Sequence, residues 1–378
     1  MRCVELFTGC GGLAMGLSRA GFQPQRMIEW DRHAVGNVAH NKGRGVDYVE
    51  HWPIEQRDVR EINWTQYHGL ALVAGGPPCQ PFSIGGKHRG HDDHRDMWPE
   101  AVRAVREAKP RGFAFENVRG LARAAFSDYL EWILLSLSMP HIERREAETS
   151  QEHLERLRTL KRTATYQVRF QQVNAADFGA AQKRFRVLVL GVRKDIGLEP
   201  PVLVPTHSRE ALLWDQWVSG GYWRRHGIER PSAGPMAVDT GTLRRLERAG
   251  IQPAELPWRT IRDAIADLGA PGTPGVLNHD PQLGARSYPG HTGSPLDYPS
   301  KALKAGVHGV PGGENTLSLP DGRIRYYTVR EAARLQGLPD DYEFVGSWSE
   351  NMRQLGNAVP VQLAEAVAKA MRAVVGVI

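Results

Sequence analysis

Cys79 stands in the run Gly75-Gly76-Pro77-Pro78-Cys79-Gln80-Pro81-Phe82-Ser83, directly after the apolar stretch from Leu70 to Ala74. That stretch has the length of a strand, and Gly-Gly-Pro-Pro stops it. In an open α/β sheet, ligands collect at the carboxyl ends of the strands. A thiol in such a place, in a loop whose prolines fix φ, is held as a nucleophile must be, because orientation carries much of a reaction's rate. Most lone cysteines are small buried hydrophobes. The turn-forming and polar flanks of Cys79 argue against that here.

Two further groups are spaced to work with it. Gly112-Phe113-Ala114-Phe115 reads as a strand ending in Glu116-Asn117-Val118, which brings a carboxylate to the same sheet edge. The alternative for Glu116 is a first-turn carboxylate that answers a helix dipole. In Gln182-Lys183-Arg184-Phe185-Arg186, the alternation of Gln182, Arg184 and Arg186 puts three polar side chains on one face of an extended segment. Taken alone, that is an exposed basic edge.

The elements that must position these groups begin at the N-terminus. Residues 2–7 read as a strand. Phe7-Thr8-Gly9-Cys10-Gly11-Gly12 then forms a glycine-rich turn into a helix that runs through Leu17. Such a turn brings backbone amides close to a ligand at the helix N-terminus. A second strand, about Gln25 to Ile28, ends in Glu29-Trp30-Asp31. An acidic residue about 20 positions after the turn is placed to hold ribose hydroxyls, and Trp30 offers a face to an adenine. Asp58 is a candidate for an adenine amino group, or a helix cap. A nicotinamide site would use similar geometry. An amphipathic helix is expected from Trp98 to Ala108, and strands at Tyr166–Phe170 and Val187–Leu190. The charged residues 141–163 read as a solvated helix with a narrow apolar stripe. Thr328 and Glu331 have the spacing of a capping box.

Composition sets the bounds. The 378 residues are 41% hydrophobic and 24% charged, with a net charge of +6. A large core is expected, and one large or two ordinary domains. No run of about 18 apolar residues suggests a membrane span. The first residues lack a signal-peptide pattern, and three cysteines support neither a disulfide framework nor a zinc pattern, so a reducing, cytoplasmic setting is expected and no metal. The positive charge allows a polyanionic partner.

Pro-Pro-Cys-Gln-Pro-Phe-Ser, Glu-Asn-Val, Gln-x-Arg-x-Arg and Gly356-Asn357-Ala358-Val359-Pro360, in this order, resemble the motifs of the cytosine-5 DNA methyltransferases of bacterial restriction–modification systems. The resemblance covers nearly all of the chain except about 205–320. It implies a Rossmann-like α/β sheet of the S-adenosylmethionine-dependent methyltransferase type, with helices on both faces. Residues 1–204 and 321–378 would form the catalytic and cofactor-binding domain, and 205–320 a small irregular target-recognition domain. A disordered insertion is the other reading of 205–320, and Trp214, Trp217, Tyr222 and Trp223 argue against it.

The resemblance also implies roles. Cys79, Glu116 and Arg184 would be catalytic. Phe7, Gly9, Gly11, Gly12, Glu29, Trp30, Asp58, Pro78, Trp98, Asn357 and Val359 would hold S-adenosylmethionine, and Gln80, Ser83, Asn117, Gln182 and Arg186 would contact the substrate. The residues 84–95 after Cys79 would be a lid. Double-stranded DNA is the expected partner, a cognate restriction endonuclease system is compatible with it, and a monomer is the default. Transfer RNA methylation, a non-catalytic DNA-binding relative and a nicotinamide oxidoreductase are the competing readings. The last leaves the later motifs unexplained.

Overall fold

The computed structural model describes residues 1–78, 96–286, 292–306 and 315–377. Strand β1 (Arg2–Leu6), helix α1 (Gly12–Arg19), β2 (Gln23–Glu29), α2 (Arg32–Gly43), β3 (Ile54–Gln56), β4 (Leu72–Gly75), α3 (Trp98–Ala108) and β5 (Gly112–Val118) alternate as the sequence pattern requires. Then come α4 (Ser127–Ser138), α5 (Ser150–Thr159), β6 (Tyr166–Asn174), β7 (Gln182–Lys183) and β8 (Phe185–Arg193). Seven of these strands form one sheet in the order β3-β2-β1-β4-β5-β8-β6. The first five run parallel, and β8 is antiparallel to both its neighbours.

Both faces of the sheet are covered, which is what parallel strands need. Alternation along β5 divides the work. Phe113 and Phe115 pack with Val105 and Ala108 of α3 and Ile133 and Leu137 of α4. Ala114 points the other way, into a layer with Leu13 and Leu17 of α1 and Leu363, Val367 and Met371 of the last helix.

Three boundaries differ from expectation for local reasons. The first strand stops at Leu6, because Phe7 takes a left-handed backbone (φ 59°) and starts the turn. The β5 strand runs on through Glu116 to Val118, because β8 pairs with it along its whole length. Glu116 is therefore a strand residue and caps no helix. In 141–163 only α5 is a longer helix, opened by the reciprocal Thr149–Glu152 capping box. The residues before it are tied down by Arg156, which pairs with Glu148 (2.6 Å) and donates to the Glu143 carbonyl (2.7 Å).

Beyond β8 the elements are short: β9 (His207–Ser208), α6 (Arg209–Leu213), a π-helical turn at Trp214–Val218, α7 (Gly221–His226), α8 (Thr240–Ala249), β10 (Leu256–Pro257) and α9 (Ile261–Ile265). Their core is aromatic. Trp217, Tyr222, Trp223, Trp258 and Tyr298 gather with Leu212, Leu213, Leu243 and Leu246. Helix α9 packs elsewhere, against Tyr327, Val329 and Leu335. The chain then passes through β11 (Ser294–Pro295), β12 (Ser300–Lys301), β13 (Thr316–Ser318) and β14 (Ile324–Tyr326) to α10 (Val329–Leu335), α11 (Trp348–Asn357) and α12 (Val361–Val375). Thr328 and Glu331 form the expected capping box on α10. Helix α12 lies along α1, which it approaches so closely that a side chain at Gly16 would meet Ala364.

Candidate active site

The strand order reverses between β1 and β4, and the crevice beyond their carboxyl ends is where a doubly wound sheet binds ligands. Two connections open there: the turn from Phe7 to Gly12, and the loop that starts at Gly75.

Left-handed backbone at Phe7, Gly9 (φ 58°) and Gly11 (φ 86°) folds the first turn tightly onto α1. Its outer wall is Trp52, whose ring lies where a side chain at Gly11 would go and whose Nε1 donates to Ser18 Oγ (3.0 Å). Its inner wall comes from the far end of the chain. The Val359 carbonyl lies where a side chain at Gly12 would go, and the Tyr342 hydroxyl donates to the Cys10 carbonyl (3.0 Å). Trp52 and Tyr342 escape sequence reasoning, because neither stands in a local motif.

Glu29 leaves the end of β2 and ties the turn down. Its Oε2 accepts from Gly9 N–H (2.7 Å) and its Oε1 from Asp31 N–H (2.8 Å), leaving lone pairs on both oxygens. Burial pushes its carboxyl up, against the pull of those two donors. Trp30 next to it is 66% exposed, with the Arg60 guanidinium 5.9 Å from the ring centroid. Asp58 caps the turn at Val59–Glu61 by accepting from Arg60 N–H, and it also pairs with the Arg60 side chain (2.6 Å). That pair holds its carboxyl below the usual range. Asn357, at the end of α11, is exposed. A cradle of tight backbone, an aromatic face and a carboxylate with free lone pairs suits a nucleoside-bearing methyl donor.

Trp98 requires a correction. It is fully buried on the inward side of α3, edge-on to Phe115 (5.9 Å between centroids), among Val4, Leu6 and Ile28. The amphipathic pattern of α3 turns it into the core, where it has no surface to offer a ligand.

Glu116 and Asn117 leave the end of β5 toward opposite sides. Asn117 Nδ2 donates to the Pro77 carbonyl (2.9 Å), and a methyl at Gly76 would sit 3.4 Å from Glu116 Oε2. The loop that leads to Cys79 is thus fastened beside the carboxylate, with Pro78 exposed next to it. Cys79, Gln80, Ser83 and the expected lid lie outside the described residues. The other two cysteines, Cys3 and Cys10, are buried; burial pushes the Cys10 thiol up to about 12 and the Cys3 thiol higher still. Neither suits a thiolate role.

The three alternating polar residues separate. Arg186 reaches Glu116 and forms an ion pair with it, both side chains being about nine-tenths covered. Arg184, expected to be catalytic, is buried behind the site. It donates to the Leu303 carbonyl (2.8 Å) and the Gly356 carbonyl (2.5 Å), and burial disfavours its charge. Gln182 is buried beside it, donating to Gln336 Oε1 (2.9 Å) and the Leu335 carbonyl (3.0 Å). The cation that can act with Glu116 is therefore Arg186, while Arg184 and Gln182 lock the strand to the segments at 303 and 335–356. The register decides this: Arg186 pairs with Val118, two residues from Glu116 on the same face of β5.

The fold and this crevice define a protein of the doubly wound α/β class with a ligand site at the switch point of its sheet. The S. pombe Dnmt2 methyltransferase structure superposes with a TM-score of 0.55 at 16% identity, covering 99% of this chain and 98% of that one. Entamoeba histolytica methyltransferase EhMeth gives 0.54 at 13%, with 99% and 98% covered. Within that class, the sequence model of the C-5 cytosine-specific DNA methylase family matches residues 1–140, 141–213 and 288–373. The chain is 30% identical over 376 residues to the Type II methyltransferase M.NgoMIV of Neisseria gonorrhoeae (97% of this chain, 95% of the relative). It is 31% identical over 378 residues to M.PspPI of Psychrobacter sp. (97% and 78%). The chain belongs to the C-5 cytosine-specific DNA methylase family and is a DNA cytosine-5 methyltransferase.

Proposed function

We propose that the chain methylates one cytosine within a fixed sequence of double-stranded DNA, with S-adenosylmethionine as donor and a covalent Cys79 adduct as intermediate. The observation that carries this reading is the Glu116–Arg186 pair beside the Pro77 carbonyl, two residues before Cys79. A stacked base is out of reach of such a recess, so the target cytosine is flipped out of the duplex.

Carbon 5 of cytosine is a weak nucleophile. The Cys79 thiolate adds to carbon 6, and the displaced electron pair of the ring moves toward nitrogen 3. As charge develops, nitrogen 3 takes up a proton that it shares with the Glu116 carboxylate, and Arg186, paired with that carboxylate, holds it against the ring. Bound S-adenosylmethionine supplies a methyl group on a sulfonium. Trp30 would offer its face to the adenine, Glu29 would accept from the ribose hydroxyls, and the turn from Phe7 to Gly12 with Val359 would hold the amino-acid end. After carbon 5 has taken the methyl group, a water removes its proton. The ring double bond re-forms and the bond from Cys79 to carbon 6 breaks, returning the thiolate.

Residues 205–320 would read the DNA sequence, and 1–204 with 321–378 would perform the chemistry. The Type II names of the relatives support a place beside a restriction endonuclease in a bacterial cytoplasm. The test is a map of methylated cytosines in DNA from a methylation-free host that expresses the chain. One recurring motif, modified at a single cytosine and lost in Cys79→Ser, is the expected result. Unmodified DNA alongside methylated transfer RNA would overturn it.

A further inference from the structure

The strand that carries Gln182, Arg184 and Arg186 inward leaves Lys183 on its other side. There β7 pairs with β12 in parallel, and the register sets Lys183 opposite Lys301. Like charges directly opposite on a ladder repel. Among the described residues, neither ammonium has a carboxylate within ion-pair distance. The Lys183 ammonium lies 4.7 Å from the Tyr298 ring centroid. Asp239, the acidic group whose charge acts on it, is already taken by Arg209 (2.6 Å). Burial, with Arg209 and Lys301 nearby, works against the charge on Lys183. Two cations kept in register, partly desolvated and with no carboxylate partner among the described residues, make a defect that an anion would repair.

Lys183 is three residues from Arg186 along an extended chain, about 10 Å. The ladder also joins the catalytic segment to residues 205–320, near the end of that interval. A DNA strand whose flipped base reaches Glu116 and Arg186 must carry a neighbouring phosphate past this point. We propose that Lys183 and Lys301 form a phosphate clamp, taking one phosphodiester of the target strand between them. The clamp rests on the DNA reading above. Phosphate contacts fix register and add affinity without reading sequence.

The test uses the full-length chain and a mixed-sequence DNA duplex, with affinity measured from 50 to 200 mM salt. Lys183→Gln and Lys301→Gln should each lower affinity for every duplex tried and reduce the slope of log K against log salt by about 1. The double variant should lose no more slope than either single one, because one phosphate is shared. Lys183→Arg should retain binding, and the Gln variants should unfold at the same or a higher temperature than the parent without DNA, since a repulsion is removed. Unchanged slopes in the Gln variants, with a salt-dependent parent, would overturn the clamp. Two independent decrements in the double variant would overturn the sharing. A parent that does not bind duplex DNA would instead overturn the DNA reading.

Discussion

Arg186 and Glu116 form an ion pair across two antiparallel strands, at the point where the loop toward Cys79 begins. The pair sets the carboxyl where a ring nitrogen would meet it. Glu116→Gln and Arg186→Ala should each lower kcat by about 10²–10³-fold, the usual cost of losing one group that stabilises transition-state charge. The double variant should be clearly less than multiplicative, because the two act as a unit. Arg184→Met should behave differently. It removes two bonds from a charged donor to buried carbonyls, so a loss of about 3 kcal/mol in folding stability is expected. Single-turnover rates and urea midpoints separate the two classes. A stable Arg184→Met with a chemical step as slow as that of Arg186→Ala would reverse the assignment.

Gly12 has the Val359 carbonyl where its side chain would be, and a backbone carbonyl cannot swing aside as a side-chain tip can. Gly12→Ala should cost about 1–3 kcal/mol of stability, as overpacking does, and weaken methyl-donor binding. Gly36 in α2 has nothing within 4 Å of the same position. Gly36→Ala should stabilise by about 0.5–1 kcal/mol. Chemical denaturation of both variants checks the pair, and equal effects would contradict the close approach.

The two tryptophans expected at the donor pocket should part company. Trp30→Ala removes an exposed ring and should leave stability nearly unchanged, while donor affinity falls about tenfold, as the loss of one base stack does. Trp98→Ala empties a core position and should cost about 3–5 kcal/mol. A donor titration alongside thermal melts reads both. Normal affinity in Trp30→Ala would remove it from the pocket.

His153 gives a pH signature. Trp132 Nε1 donates to its Nδ1 (3.1 Å), so Nε2 carries the proton and faces the Ile142 carbonyl (3.2 Å). Burial pushes its pKa below the ordinary value of 6.5. The unfolded chain therefore binds a proton more readily, and this contribution is complete above pH 6.5 and declines as the pH falls from there toward the folded value. Urea unfolding at pH 7.5 and 5.5 should show a loss at the lower pH that is smaller in His153→Gln. An equal loss in both would exclude this residue as the source.

The elements around the candidate site were legible where their patterns are local. A glycine turn after a strand and a strand closing in Glu116-Asn117 each carry their geometry in a few residues. Arg184 and Arg186 were not separable that way. Both fit one face of an extended segment, and only the break between β7 and β8, with the pairing of Arg186 to Val118, sends one below the site and the other to Glu116. Trp98 failed for a related reason, since an amphipathic helix shows that a residue is inward but not whether it meets a pocket or a core. Residues 205–320 lacked periodicity because their core is built from aromatic side chains on short elements, which leave no repeating pattern.

The Cys10 carbonyl of the glycine turn and the Tyr342 hydroxyl that closes on it stand 332 residues apart in the chain. On the ribosome, the turn would emerge well before Tyr342 and Val359, and the cradle would stay open until they follow. Affinity for the methyl donor proposed above would then arise only once both segments are present.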